Sequence, residues 1–177
     1  MKKTELSSIE VGKTFKIGEI EFIKFSDIDG VTIAVSKDIV FRLEFGNNNN
    51  LAESDVLEKL NKEILPELIK EVGEENILEF ETDLTTLDGL KPYEPLKSKI
   101  SIPSFDFYRA NVEMFDKYKV DSWWWLATPD TAEPHYKPSW RLCVSPVGGI
   151  DNYDYYYFNG VRPFLKFVSS IFVSYEE

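Results

Sequence analysis

Few residues in this chain are equipped for catalysis. His135 is the only histidine and Cys143 the only cysteine among 177 residues. A single histidine excludes a multi-histidine metal centre and leaves every nucleophile–histidine–carboxylate triad resting on one side chain. One cysteine forms no internal disulfide, which fits a reducing compartment. Gly148-Gly149 reads as a turn, because the longer glycine-rich pattern of a phosphate loop is missing. The expectation is a non-enzymatic chain with no catalytic residue, no metal and no cofactor.

Recognition chemistry is better represented. Asn152, Tyr153, Asp154, Tyr155, Tyr156, Tyr157 and Asn159 lie in one short stretch, with Asp151 before them and Phe158 among them. Tyrosine offers large amphipathic contact area at low side-chain entropy, and mixed with Asn and Asp it suits a binding surface. These seven residues are the candidate ligand contacts. Along an extended segment Tyr153, Tyr155 and Tyr157 would share one face and Tyr156 would take the other. Asp151, Asn152 and Asp154 also carry oxygens of the kind calcium takes, but such loops are ordinarily just solvated.

Structural roles are expected for Trp123, Trp124, Trp125 and Arg162. Three consecutive tryptophans cannot share a strand face, so Trp123 and Trp125 are paired on one side and Trp124 on the other. Each indole is large enough to anchor a core. A guanidinium at Arg162, set among apolar neighbours, needs a carboxylate or carbonyls and reads as a clamp.

The elements that hold these groups are legible in outline. Residues 13–25 alternate as strands, Asp29-Gly30 signals a hairpin, and 31–35 alternate as the returning strand. Residues 39–45 form a further strand, and the four asparagines at 47–50 a polar connector. Ser54 caps a helix whose buried stripe is Leu57, Leu60, Ile64, Leu68 and Val72. Pro66 inside that stripe predicts a kink or break near Leu65. A short helix falls within 104–117, and 123–126, 140–144 and 161–173 read as strands separated by irregular loops.

The length suits one domain, 1–177, with a strand and helix subregion over 9–100 and a second subregion over 101–177. No run of about 18 apolar residues exists, and the start lacks a signal-peptide core, so a cytoplasmic protein without a membrane span is expected. The net charge of −11 argues against direct nucleic-acid binding. Residues 51–95 hold 13 acidic residues against 4 basic ones, a local charge of −9. Glu58, Glu67, Glu71 and Glu75 are the candidate acidic surface there, although such runs usually only face water.

Three segments in order carry a resemblance. They are 123–129 (Trp-Trp-Trp-Leu-Ala-Thr-Pro), 147–150 (Val-Gly-Gly-Ile) and 160–165 (Gly-Val-Arg-Pro-Phe-Leu). The asparagines, Ser54, Leu60-Asn61, Asp83-Leu84 and Asp88-Gly89 extend it upstream. The set resembles a family of uncharacterised bacterial and phage domains with a WWLR-S-P segment, a glycine turn and a GVRP segment, over roughly 9–172. That family resembles the C-type-lectin-like fold of sulfatase-modifying enzymes and retroelement variable proteins. The resemblance implies that the tryptophan and GVRP strands pair, that the irregular segment between them is the binding face, and that the chain has a phage or mobile-element origin. It implies no sulfatase-modifying chemistry, which needs two cysteines. The arginine of the WWLR pattern is Ala127 here. Glu133-Pro134-His135 only partly resembles the calcium-holding segment of sugar-binding lectins.

The fold expectation is therefore α+β: N-terminal β-hairpins, a kinked acidic helix and a C-terminal lectin-like mixed sheet with long loops. The functional expectation is a binding module that meets a protein or glycan partner through 128–138 and 151–159. The alternative is an acidic intracellular inhibitor of a host defence complex, such as a CRISPR nuclease, acting by blocking a nucleic-acid-binding surface.

Overall fold

Alternating apolar residues and a tight Asp29-Gly30 turn build the first sheet. The computed structural model describes residues 2–176. The chain begins with β1 (Lys2–Glu5), β2 (Thr14–Ile17), β3 (Ile20–Ile28), β4 (Val31–Ser36) and β5 (Phe41–Leu43). Both turn residues between β3 and β4 have positive φ, 52° at Asp29 and 75° at Gly30. Glycine tolerates this freely and aspartate tolerates it better than most residues.

Ser54 caps the next helix by accepting a hydrogen bond from the Leu57 N–H. The helix runs as α1 (Asp55–Lys59), a π turn (Leu60–Ile64) and α2 (Leu65–Val72) without a break. Pro66, near the start of α2, lacks an N–H, and its ring would crowd the carbonyl four residues back. The wider turn just before it accommodates this: the Leu65 N–H bonds the Leu60 carbonyl, five residues away. The irregularity expected near Leu65 is thus a π turn over 60–64, and not a break.

Beyond the helix come β6 (Phe80–Thr82) and β7 (Leu96–Ser98), then α3 (Phe105–Ala110) and α4 (Val112–Lys117). The single helix expected within 104–117 is divided at Asn111. The chain finishes with β8 (Trp124–Pro129), β9 (Trp140–Val144), β10 (Ile150–Asp154), β11 (Asn159–Val161), β12 (Phe164–Val168) and β13 (Phe172–Tyr175).

The first sheet has the order β1-β13-β2-β3-β4-β12 and the second β10-β9-β8-β11-β5, while β6 pairs with β7. The architecture is one α+β domain. Its two halves are interleaved: β12 and β13 complete the N-terminal sheet, and β5 completes the C-terminal one. β11 runs parallel to β8, with Gly160 opposite Trp124. A Cβ at Gly160 would lie 2.4 Å from Ile39 Cδ1, so any larger residue here would have to displace the Ile39 side chain.

Two apolar clusters flank these sheets. One takes Phe15, Phe22, the helix residues Leu57, Leu60 and Leu68, and Trp125. The other takes Ile23, Val35, Phe115, Trp124 and Leu142. Trp125 and Trp124 thus serve opposite faces of β8, with half-buried Trp123 on the Trp125 side. No helix among the described residues is long and apolar enough to cross a membrane.

Candidate functional site

The tyrosine-rich stretch folds as an edge strand followed by a turn. β10 pairs only with β9, placing Tyr153 opposite Arg141 and Asp154 opposite Trp140. After Asp154 the chain turns, and the expected two-faced alternation of the four tyrosines ends there. The Asp154 carboxylate accepts the Tyr155 N–H at 3.0 Å, and its carbonyl accepts the Tyr157 N–H at 3.1 Å. Tyr155 is tied on both sides: its N–H donates to the Ser139 carbonyl and its carbonyl accepts from the Phe45 N–H. An aspartate holding the following amides is a common way to fix such a turn.

The result is a row of rings leading from the core to the surface. Trp123 meets Tyr153 edge-on, Tyr153 meets Tyr157, and Tyr157 stacks on Tyr156 with centroids 5.1 Å apart and planes 25° apart. Tyr155 packs against the core cluster and also meets Tyr156. Tyr156, Tyr157 and Phe158 stand 55%, 46% and 63% exposed. The nearby Asp154 carboxylate raises the Tyr156 phenol pKa, so this ring is neutral at physiological pH.

The polar candidates divide. Asn152 is half-buried and donates to Asp130 Oδ2 at 3.0 Å across β9. Asp154 accepts from the Trp140 indole at 3.2 Å, and Trp140 lies beside exposed Tyr136. Asn159 is only 6% exposed, with its amide nitrogen unpartnered among the described residues. It lies beneath the surface, so the expectation that it contacts a ligand directly is corrected.

The acidic candidates are all exposed but do not share one environment. Glu58 is paired with Lys62. Glu67 and Glu71 line a groove against the β2–β3 hairpin. Glu75 folds back over Gly73, where an added Cβ would lie 2.7 Å from its carboxylate.

The framework beneath the turn uses buried cations. Arg162 donates to the Ser36 and Lys37 carbonyls at 3.0 and 2.9 Å and lies over the Trp124 ring. Burial pushes its guanidinium down to about 10, still charged at neutral pH. Arg141 is fully buried and donates to the carbonyls of Leu126, Ala127 and Asn49 while lying 3.9 Å from the Phe45 ring centroid. Ala127 is thus bonded through its carbonyl to an arginine of the next strand. Burial also pushes the Cys143 thiol up to about 12, which leaves it unreactive.

Two features escaped the sequence. Asn49, read as part of a plain polar connector, is buried. It donates to the Thr131 and Trp140 carbonyls and accepts from the Tyr93 hydroxyl. Asp88 gathers the 130–138 loop: its carboxylate accepts from Thr131 and Thr86 hydroxyls at 2.5 Å and lies 2.8 Å from His135 Nδ1. An ionised carboxylate only accepts, so Nδ1 carries the proton. The hydrogen bonds from Thr131, Thr86 and His135 hold the Asp88 carboxyl far below the usual range. Burial, with Asp88 nearby, raises that of Asp130. In the sequence, only the lone histidine and the place of Asp88-Gly89 in the resemblance touched this node.

Among the described residues, no three His, Cys, Asp or Glu side chains converge as a metal site requires. No protein-family model, curated protein or solved structure matches the chain.

Proposed function

We propose that the chain is a non-enzymatic binding module that recognises a protein partner through the turn at 155–158. The observation that carries this reading is the exposure of three consecutive aromatic residues, Tyr156, Tyr157 and Phe158, on a turn fixed by backbone hydrogen bonds. Clustered exposed aromatics mark contact surfaces, and their rings supply binding energy when desolvated. The turn is already ordered, so binding costs little conformational entropy. Phe158 has no hydroxyl and is the most exposed of the three, which favours an apolar protein surface over a hydroxyl-rich glycan. Trp140, Tyr136, Asp154 and Asn152 form the polar flank. The implied lectin-like resemblance points to the same face.

The test uses wild-type protein and a Tyr156→Ser/Phe158→Ser variant as parallel baits in host lysate, with a glycan array probed by both. A protein retained by wild type and lost from the variant supports the reading. Glycan binding, or a partner retained equally by both baits, rejects it.

A second reading, an acidic inhibitor occupying a nucleic-acid-binding surface, draws on exposed Glu67, Glu71 and Glu75. The division of the candidate glutamates among separate environments favours the aromatic turn.

A further inference from the structure

On another side of the molecule, a groove separates α2 from the β2–β3 hairpin and the start of the 38–40 connection. Its main recess is about 450 Å³, and a second of about 250 Å³ adjoins it through Glu19, Ile20 and Glu67. Ile20, Ile39 and Val40 are half-buried on its lining, which buried Ile64 of the helix's π turn also joins. These side chains keep apolar surface in water that the fold does not cover.

The rim has one dominant sign. Glu19, Asp38, Glu67 and Glu71 line it, and none of them forms an ion pair among the described residues. Lys37 is already committed to Glu21 at 3.1 Å, and Lys16 also faces Glu21. Lys70 is the other lysine on the lining. Glu67 and Glu71 are four residues apart on one helix, a like-charge spacing that costs a little stability. The aliphatic stem of Glu71 approaches the Gly18 turn, where an added Cβ would lie 3.5 Å from its Cγ. The tertiary fold therefore concentrates negative charge around a partly apolar trough.

We propose that this groove docks an extended segment of a partner protein in which apolar residues are flanked by lysine or arginine. The apolar residues would cover Ile20, Ile39 and Val40. The basic side chains, long enough to lay their stems along the trough, would reach Glu19, Asp38, Glu67 and Glu71. Such a segment would also reduce the net charge of −11. The site is separate from the aromatic turn and stands or falls independently of it.

Fluorescence anisotropy with three labelled peptides tests this on the full chain. One alternates lysine with valine, one lysine with serine, and one glutamate with valine. The lysine–valine peptide should bind and weaken as salt is raised. Replacing its valines by serine, or combining Glu67→Lys with Glu71→Lys in the protein, should each weaken binding at least about tenfold. Tyr156→Ala should leave binding unchanged. Circular dichroism checks the fold of the double variant; if it is disrupted, Glu19→Lys on the exposed hairpin turn replaces it. No binding of the lysine–valine peptide at low salt, equal binding of the glutamate–valine peptide, or undiminished binding by a folded reversal variant would overturn the proposal.

Discussion

Trp123 lies edge-on to Tyr153, with ring centroids 4.9 Å apart and planes at 83°. This contact joins the tryptophan strand to the tyrosine turn, so the exposed rings are supported from below by the core. Tyr157 also packs against Tyr153, and Tyr156 stacks on Tyr157. Core and surface roles are thus graded along one row of aromatics.

The core end of that row should be sensitive to truncation. Trp125 is fully buried and its indole donates to the Leu43 carbonyl at 3.1 Å. Trp125→Ala is expected to destabilise the fold by about 3–5 kcal/mol. Trp123→Ala should cost less, because Trp123 is half-buried. Urea unfolding midpoints of the two variants check the order. A smaller loss at 125 than at 123 would contradict the assigned faces.

The alternation of Trp123, Trp124 and Trp125 was readable because a strand has period two and each indole is large enough to need a core. The helix cap at Ser54 and the Asp29-Gly30 hairpin were readable for similarly local reasons. The tyrosines followed the same rule only to Asp154, where side-chain and carbonyl acceptors bend the chain and local alternation stops applying. Arg141, Lys24 and Asn49 were illegible because their partners are distant in sequence. Lys24, for example, is buried by bonds to the Leu6 and Ile9 carbonyls, 18 and 15 residues away. The joining of β12 and β13 to the N-terminal sheet is likewise a long-range pairing, with no local signal.

Arg141 should tolerate no replacement. Its guanidinium serves three backbone carbonyls, two on adjacent residues of β8 and one at Asn49, and its fork geometry cannot be reproduced by an ammonium. Arg141→Met should destabilise by about 3 kcal/mol or more, since buried carbonyls left without donors cost about 1–3 kcal/mol each. Arg141→Lys should rescue little of this. Thermal melts of both variants provide the check, and near-wild-type stability of either would contradict the clamp.

Two aspartates should respond to pH with opposite sign. The Asp88 carboxyl is lowered by its hydrogen bonds. Its contribution to stability is complete above the unfolded carboxylate pKa, about 3.9, and is lost as pH falls toward the lower folded value. Asp130 is raised by burial, so its ionised form costs stability at neutral pH and the cost fades as pH falls through its folded value. Asp88→Asn should therefore lower stability at pH 7 and flatten the acid limb. Asp130→Asn, which keeps an acceptor for Asn152, should raise stability at pH 7. Chemical denaturation of both variants from pH 7 to pH 3 measures the signs, and the same sign at pH 7 would contradict the assignment.

The surface end of the aromatic row should be expendable for folding. Tyr156→Ala and Phe158→Ala should each change unfolding free energy by no more than about 0.5 kcal/mol, as exposed substitutions do. A larger loss, read from urea unfolding, would place these rings in the structural core.

The most direct test of the binding reading is a calorimetric titration of the captured partner, once purified, against wild-type protein, Tyr156→Ala and Phe158→Ala. A contact at the centre of the interface predicts a loss of about 2 kcal/mol, roughly a thirtyfold weaker Kd, in at least one variant with an unchanged melting temperature. Affinity equal to wild type in both variants would show that the partner binds elsewhere and that the aromatic turn is not the recognition surface.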